Sequence, residues 1–183
     1  MALASARYEY RITLAHVDRA AEVSATVIVA RHPSETAEHL TLRVLSWCLL
    51  YEEGIEFGPG LSSPDAPDLC TRDLTGRLVT WIECGAARWD GVRKAIQHNS
   101  GIAVHAVFVQ PRKRDELMAE IAEAGRSKEA ASLTLWTLDP TLVASLARRE
   151  ERRQKWIVTV VGDHLYVEAD GTSLDGEALR ASG

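Results

Sequence analysis

The chain has 183 residues, of which 46% are hydrophobic and 26% are charged, and its formal net charge is −5. This length and composition are typical of one folded domain and exclude a wholly disordered chain. Because 21 Lys and Arg residues are outnumbered by 26 Asp and Glu residues, any binding of nucleic acid would have to use a local basic patch.

The hydropathy of the sequence and the spacing of its cysteines indicate where in the cell the protein is expected. No stretch of the sequence approaches the ~20 apolar residues of a membrane-spanning helix, and the N-terminus lacks a signal-peptide pattern. Cys48, Cys70 and Cys84 are widely spaced and form no Cys-x-x-Cys pair. This spacing disfavours a disulfide framework and a cysteine-based zinc site. We therefore expect a cytoplasmic protein with reduced thiols and no membrane association.

Alternating apolar and polar residues predict two N-terminal strands. Residues 8–14 alternate with a period of two, and residues 23–29 do the same. The short polar link between them contains Asp18 and Arg19. This pattern predicts a β-hairpin.

A long helix is predicted from Pro33 to about Glu53. Ser34 suits the N-cap position, and Glu35 would place negative charge at the positive end of the helix dipole. Residues at helical spacing are expected to form one buried face: Leu40, Val44, Trp47 and Tyr51.

The middle of the chain is predicted to alternate between strands and helices. Residues 58–76 are rich in Gly, Ser, Pro and Asp and predict a long ordered loop, a feature that is often functional. Strands are predicted at 78–85 and 102–109, and the second is apolar enough to be covered on both faces. Between them, Asp90 can cap a helix that runs to about Asn99.

The remaining elements complete a mixed sheet flanked by helices. They are predicted at 111–125 (helix), 133–138 (strand), 140–146 (helix capped by Asp139) and 156–168 (hairpin with a turn at Gly162-Asp163). The small polar residues from about 170 to 183 are predicted to be frayed. We predict a single α/β domain over residues 1–183, with an oligomeric state that the sequence does not fix.

Three acidic residues are the best candidates for chemistry. Glu83 lies near the end of an apolar strand, the position at which α/β sheets bind ligands, and a buried carboxylate there needs a cation or a hydrogen-bond network. Asp68 precedes this strand, although Asp65 could equally fill that part, and Glu35 begins the preceding helix. Each residue alone has an ordinary explanation: emergence into solvent, a loop acid, or stabilisation of a helix dipole.

Together these acids resemble the pattern of the PD-(D/E)xK nucleases. Pro67-Asp68 supplies the first part of the pattern, and Glu83 on the following strand supplies the next. The chain departs from the pattern at Gly85, where a lysine is expected. Lys94 on the next helix could replace it, since some members of that superfamily relocate their lysine in this way. Without the resemblance, Lys94 is a solvated helix residue.

More closely, the chain resembles the YaeQ family of small bacterial proteins over nearly its whole length. The resemblance is carried by five segments: Ala30–Thr36, Gly60–Ser62, Trp81–Gly85, Arg93–Ala95 and Ser132–Asp139. It implies a nuclease-like fold, in which a PD-(D/E)xK core carries added antiparallel strands.

The resemblance implies a metal-dependent phosphodiester hydrolase that acts on DNA or RNA. Asp68 and Glu83 would bind Mg²⁺ or Mn²⁺ directly, Glu35 would be an outer or second-metal acid, and Lys94 would position water or stabilise the phosphate. The alternative is a catalytically degenerate fold that binds nucleic acid or a protein partner in a regulatory role. Gly85 and the acidic net charge favour the alternative, whereas the acids and Lys94 favour the enzyme.

Overall fold

The structure is a computed structural model that describes residues 5–60, 63, 65–125 and 128–182. The described residues form ten strands and four α-helices. The strands are β1 Ala6–His16, β2 Ala21–Arg31, β3 Glu56–Phe57, β4 Leu69–Arg72, β5 Leu78–Cys84, β6 Ala103–Phe108, β7 Leu133–Leu138, β8 Arg153–Val161, β9 His164–Ala169 and β10 Thr172–Ser182. The helices are α1 Ala37–Leu49, α2 Trp89–His98, α3 Pro111–Glu123 and α4 Pro140–Ala147. None of the helices in these ranges is long and apolar enough to cross a membrane.

All ten strands belong to one mixed sheet with the order β2-β1-β8-β9-β10-β7-β6-β5-β4-β3. Neighbouring strands are antiparallel except for the β1–β8, β5–β6 and β6–β7 pairs, which are parallel. The predicted mixed α/β architecture is therefore confirmed. The hairpins β1–β2 and β8–β9 are also confirmed, and Val161 pairs with His164 across the two-residue turn at Gly162-Asp163.

Helix α1 lies at the centre of the main core. Every residue from Leu40 to Leu49 is buried, as expected of a helix that is covered on all sides. Its neighbours in the core come from distant strands of the sheet, including Ile12 of β1, Ile82 of β5 and Val158 of β8. The sheet therefore curves around α1, and its two edge strands, β2 and β3, approach the same helix.

A second core lies on the other face of β5–β7. Helices α2 and α3 cover this face, and Trp89 and Leu117 pack there with Trp81 and Phe108. The strand β5 therefore presents Ile82 and Cys84 to the main core and Trp81 to the second core.

The start of α1 differs from the prediction. Thr36, not Ser34, is the N-cap, and its hydroxyl accepts a hydrogen bond from the backbone N–H of His39 at 3.1 Å. The hydroxyl of Ser34 instead lies 2.7 Å from Nδ1 of His32, in a turn that precedes the helix. Glu35 consequently lies directly before the N-cap and not in the first turn of the helix, where the sequence predicts it.

The start of α2 also differs from the prediction. The helix begins at Trp89, so that Asp90 lies in its first turn and is not the cap. The N-terminal N–H of Trp89 donates instead to the Glu120 carboxylate of α3 at 2.9 Å. A long-range acid therefore replaces the local cap that the sequence suggested.

Two further expectations are corrected. The segment 58–76 is not a continuous loop, because it contains β4, which pairs with β5; residues 61, 62 and 64 of this segment, including most of the Gly60–Ser62 motif, lie outside the described residues. The predicted fraying from about 170 is wrong for residues 172–182. These residues form β10, which hydrogen-bonds to both β9 and β7.

Candidate functional site

The N-terminal end of α1 and the end of β5 meet at a cavity of about 370 Å³, here called the acidic cavity. Its wall includes Thr36, His39, Asp68, Glu83, Cys84 and Ala86. Two of the three predicted acids, Asp68 and Glu83, therefore line the same space. Glu35 lies behind the wall, with a side chain that is completely buried.

Asp68, and not the exposed Asp65, is the loop acid of this cavity. Its Oδ2 accepts a hydrogen bond from the backbone N–H of Cys84 at 2.9 Å. Its Oδ1 lies 3.4 Å from Nε of Arg43, at ion-pair distance although without hydrogen-bond alignment. Burial raises the pKa of Asp68, and the charges of His39 and Arg43 and the Cys84 N–H only partly oppose that rise.

The backbone around Asp68 is fixed by close contacts. Its N–H donates to the carbonyl of Ile82 at 3.0 Å, and its carbonyl accepts from the N–H of Gly58 at 2.8 Å. A Cβ atom at Gly58 would lie 1.9 Å from the carbonyl oxygen of Pro67, a distance that no side chain tolerates. The absence of a side chain at Gly58 therefore allows the Pro67-Asp68 segment to reach the cavity.

Glu83 is a cavity carboxylate with a strongly perturbed acidity. Burial and the negative charge of Asp68 raise its pKa from 4.5 to about 7, while the indole group of Trp81 acts in the opposite direction. A bound cation would relieve both effects, because it would stabilise the ionised form of each carboxylate.

Glu35 is a buried partner of two basic side chains. Its Oε1 lies 2.7 Å from Nδ1 of His39 and 3.3 Å from Nη1 of Arg43, and its Oε2 accepts from the N–H of His32 at 3.2 Å. Burial alone would raise the pKa of Glu35, but the His39 hydrogen bond and the Arg43 charge outweigh it and lower the pKa. Glu35 is therefore an ionised anchor for His39 and Arg43.

His39 flanks Glu35 in the sequence, a position that suggests the rim of the site, and its side chain lies in the wall of the acidic cavity. Its Nδ1 faces the Glu35 carboxylate at 2.7 Å, and its Nε2 faces the carbonyl oxygen of Cys84 at 3.1 Å. Both partners are acceptors, so both ring nitrogens can be satisfied only when both carry a proton. Burial acts to lower the pKa of His39, but Glu35, Asp68 and the Cys84 carbonyl together raise it. The geometry and the charges thus favour an imidazolium in the cavity wall.

Arg43 of α1 is fully buried beneath these residues and joins the two edges of the sheet. Nη1 donates to the carbonyl of Ala30 in β2 at 3.2 Å, and Nη2 donates to the carbonyl of Gly58 after β3 at 3.0 Å. The same guanidinium also approaches Glu35 and Asp68. It was not recognised from the sequence, since an arginine within an amphipathic helix is usually solvated.

The predicted basic residue is not brought into the cavity. Lys94 lies on the exposed side of α2 and is not among the described residues that line the cavity. Gly85, where the nuclease pattern has lysine, has φ of +86°, and a Cβ there would lie 3.2 Å from Cδ2 of His39. The imidazole of His39 therefore occupies the space beside position 85.

The donor set accommodates a hard divalent cation only in part. Within the described residues, no group of three or more His, Cys, Asp and Glu side chains is arranged to hold a metal ion. Mg²⁺, however, keeps several waters and is commonly bound by one or two carboxylates plus substrate phosphate. Asp68 and Glu83 meet this smaller requirement, because they line one cavity and their charges interact.

Comparisons with known proteins identify relatives along almost the whole chain. A family model described as "YaeQ protein" matches residues 1–177. The YaeQ protein of Salmonella typhi is 29% identical over 96% of this chain and 94% of its own length, and that of Escherichia coli (strain K12) is 26% identical with the same coverage; both are described as uncharacterized.

Solved structures show the same architecture. The crystal structure of a YaeQ protein from Xanthomonas axonopodis pv. citri superposes with a TM-score of 0.87 at 25% identity, covering 98% of this chain and 99% of the other. That of a YaeQ protein from Pseudomonas syringae superposes with a TM-score of 0.85 at 26% identity, covering 98% and 97%.

Proposed function

The chain belongs to the YaeQ family, and we propose that its acidic cavity is the active site of a Mg²⁺-dependent phosphodiester hydrolase that acts on DNA or RNA. One observation carries the proposal: Asp68 and Glu83, which lie 15 positions apart and match the PD and (D/E) positions of the PD-(D/E)xK pattern, line a single cavity together with His39. Mn²⁺ would serve as an alternative ion.

Asp68 and Glu83 are the residues that would hold the ion. When bound, the ion would polarise a phosphoryl group and lower the pKa of a water molecule. The Cys84 N–H and Arg43 fix the orientation of the Asp68 carboxylate. Glu83 carries a pKa of about 7 before metal binding, so it can release a proton near neutral pH.

In this proposal, His39 has the role that the resemblance implies for Lys94. It contributes a positive charge to the cavity wall, held in place by Glu35 on one side and by the Cys84 carbonyl on the other. A fixed cation at such a position stabilises the negative charge that develops on a phosphate in the transition state. Glu35 would act through His39 and Arg43 and would not contact the substrate.

Calorimetric titration of Mn²⁺ tests the metal site. We expect one binding event in the unaltered protein, its loss in Glu83→Gln, and its retention in Glu53→Gln, an exposed acid on the surface. Cleavage of single- and double-stranded DNA and RNA would then be measured with the same three proteins. Binding that is equal in Glu83→Gln and the unaltered protein would contradict the proposal.

A second candidate function is supported by the contacts of Asp68. Both of its oxygens already have partners, Cys84 N–H and Arg43, so the site is partly charge-compensated without a metal. A regulatory module that binds nucleic acid or protein would need no metal beyond this partly charge-compensated site. It predicts binding of nucleic acid in EDTA that weakens with rising salt, whereas the hydrolase predicts binding that depends on Mn²⁺.

A further inference from the structure

A cavity of about 250 Å³ opens directly beside the acidic cavity and is here called the adjoining cavity. The described residues that line it lie at the start of α1, directly after β5 and around the start of α3. Thr36, His39 and Ala86 line both the adjoining cavity and the acidic cavity. The two cavities therefore form one continuous groove, with the imidazole of His39 at their junction.

The adjoining cavity has an apolar interior. Leu42 of α1 and Val109, which follows β6, line it together with Ala86. Gly85 keeps this space open, because an added Cβ would lie 3.2 Å from Cδ2 of His39 and 3.9 Å from Cδ2 of Leu42, in the lining of the cavity. Apolar walls of this kind bury the faces of a planar ring, while a few polar groups fix its orientation.

Two polar side chains of the lining are available to a ligand. Glu38 lies in the first turn of α1, and Gln110 is the N-cap residue of α3. Within the part of the chain that the structure describes, neither the carboxylate of Glu38 nor the side-chain amide of Gln110 has a hydrogen-bond or ion-pair partner. The Glu38 carboxylate thus presents two free acceptor oxygens to a ligand in this cavity.

Lys113 supplies a cationic donor from the α3 side of the cavity. Its Nζ lies 3.0 Å from Oε2 of Glu116, in an ion pair that is partly exposed to solvent. Such a pair contributes little to stability, and the ammonium group retains two further N–H donors. The adjoining cavity therefore combines apolar walls with a carboxylate acceptor on α1 and an ammonium donor on α3.

Guanine is the nucleobase that matches this combination. Its N1–H and N2 amino group are neighbouring donors that one carboxylate accepts together, and its O6 and N7 are the acceptors that lysine recognises. Adenine and cytosine present a single amino group beside an unprotonated ring nitrogen, which repels a carboxylate. In a duplex the N1–H and N2 donors of guanine are used in base pairing, so they are free only in a single strand.

We propose that the adjoining cavity binds the guanine base of a single-stranded nucleic acid, with Glu38 accepting from N1–H and the N2 amino group and Lys113 donating to O6 or N7. The phosphate of the same nucleotide would lie in the acidic cavity, to which the groove continues past Thr36 and His39. This assignment rests on the proposed function for the place of the phosphate, and it makes guanine-containing single strands the substrate.

Calorimetry with guanosine 5′-monophosphate and inosine 5′-monophosphate tests the base site, in Mn²⁺ and again in EDTA. The two nucleotides differ only in the N2 amino group, which inosine lacks. Neither contains a phosphodiester bond, so the result does not depend on hydrolysis. We expect the guanosine nucleotide to bind about fivefold more tightly than the inosine nucleotide, because inosine loses one hydrogen bond to a charged acceptor.

Variants assign the two contacts separately. Glu38→Ala should bind the two nucleotides equally, while Glu123→Ala, an exposed acid at the far end of α3, should keep the preference for guanosine. Lys113→Met should weaken the binding of both nucleotides by a similar factor, because both carry O6 and N7. Lys94→Met, on the exposed side of α2, should leave the binding of both unchanged.

Three results would overturn the base site: equal binding of the two nucleotides by the unaltered protein, no binding of either at millimolar concentrations, or a preference for guanosine that persists in Glu38→Ala. Cleavage of nucleic acid in Mn²⁺ together with any of them would leave the hydrolase proposal standing. A preference for guanosine that Glu38→Ala removes, in a protein that cleaves no nucleic acid, would support the base site and count against the hydrolase alone.

Discussion

Nη1 of Arg43 lies 3.3 Å from Oε1 of Glu35, and neither side chain is exposed to solvent. A buried ion pair of this kind is not strongly stabilising by itself, because both charges have been taken out of water. Removal of one partner, in contrast, leaves the other charge buried and uncompensated. This asymmetry determines how the site will respond to substitution.

Arg43→Met is expected to lower the free energy of unfolding by about 3–5 kcal/mol, since it leaves Glu35 buried without its guanidinium and removes the link between Ala30 and Gly58. Urea denaturation measures the change. Arg72→Met, which removes the exposed pair with Glu56 and an exposed hydrogen bond to the Gly76 carbonyl, is the control and should lower the free energy of unfolding by less than about 1 kcal/mol. A similar small loss for both variants would show that the buried network does not stabilise the fold.

The pH dependence of stability should report on Glu83. Its pKa is raised from 4.5 to about 7 in the folded protein, so its contribution is fully present below about pH 4.5 and is lost as the pH rises through about 7. The raised pKa of His39 acts in the same direction. In EDTA, we expect the free energy of unfolding to fall by about 2 kcal/mol between about pH 5 and about pH 8.

Glu83→Gln should flatten this profile, because glutamine does not titrate. The exposed Glu53→Gln should preserve it. A profile for Glu83→Gln that coincides with that of the unaltered protein would refute the assignment of a raised pKa to Glu83.

Proton release should accompany metal binding at about pH 6.5. Much of Glu83 is protonated there because its pKa is about 7, and a cation bound by the ionised carboxylate displaces that proton. The heat of Mn²⁺ binding should therefore change with the ionisation enthalpy of the buffer. At about pH 8.5, where Glu83 is already ionised, the heat should be nearly independent of the buffer. Buffer-independent heats at both pH values would place the metal elsewhere.

Gly85→Lys restores the lysine of the nuclease pattern but is not expected to create activity. The backbone at Gly85 has φ of +86°, and a Cβ atom would press on Cδ2 of His39 at 3.2 Å. Gly76→Lys is a matched control, because Gly76 has φ of +85° and no atom within 4 Å of the added Cβ. Both substitutions should lower the free energy of unfolding by about 1 kcal/mol, because a residue with a side chain is strained at this positive φ.

Only Gly85→Lys should also change the environment of His39. The ring signals of His39 in NMR spectra check this difference. Identical His39 signals in Gly85→Lys and the unaltered protein would show that the contact is harmless.

Gly58→Ala should displace the Asp68 segment, because the added Cβ would overlap the carbonyl oxygen of Pro67 at 1.9 Å. We expect the free energy of unfolding, measured by thermal or urea denaturation, to fall by about 2 kcal/mol or more. Gly91→Ala, in α2 with open space around the new methyl group, should instead stabilise the protein by about 0.5–1 kcal/mol. Equal effects at the two glycines would contradict the tight packing at Gly58.

Local patterns in the sequence were sufficient to predict most of the elements. The alternation in β1, the Asp139-Pro140 start of α4 and the Gly162-Asp163 turn are all short-range signals, and the structure confirms each of them. Asp139 accepts from the backbone N–H groups of Thr141 and Leu142, as its capping role requires. The strand β10 was missed because its small and polar residues carry little intrinsic preference, and its pairing with β7 and β9 is non-local.

The acidic residues of the candidate site could be predicted from the sequence, whereas the buried position of Arg43 and the contacts of His39 could not. Asp68 and Glu83 could be chosen from a sequence pattern, and both line the acidic cavity. His39 depends on the carbonyl of Cys84, 45 positions away, and Arg43 depends on contacts with two edge strands. Such partners are set by the curvature of the sheet, which no local pattern encodes. Lys94, the relocated lysine that the resemblance implies, lies on the exposed side of α2.

The strand order has a consequence for biosynthesis. In the sheet, the N-terminal hairpin β1–β2 is connected to the block of strands β3 to β7 only through β8, β9 and β10. These three strands are synthesised last. While the ribosome is still translating the middle of the chain, Arg43 has Gly58 within reach but no sheet that holds Ala30 opposite it. The continuous sheet that holds Ala30 opposite Gly58 is therefore complete only after β10 has emerged, whereas the described residues that line the acidic cavity all lie between Ser34 and Ala86.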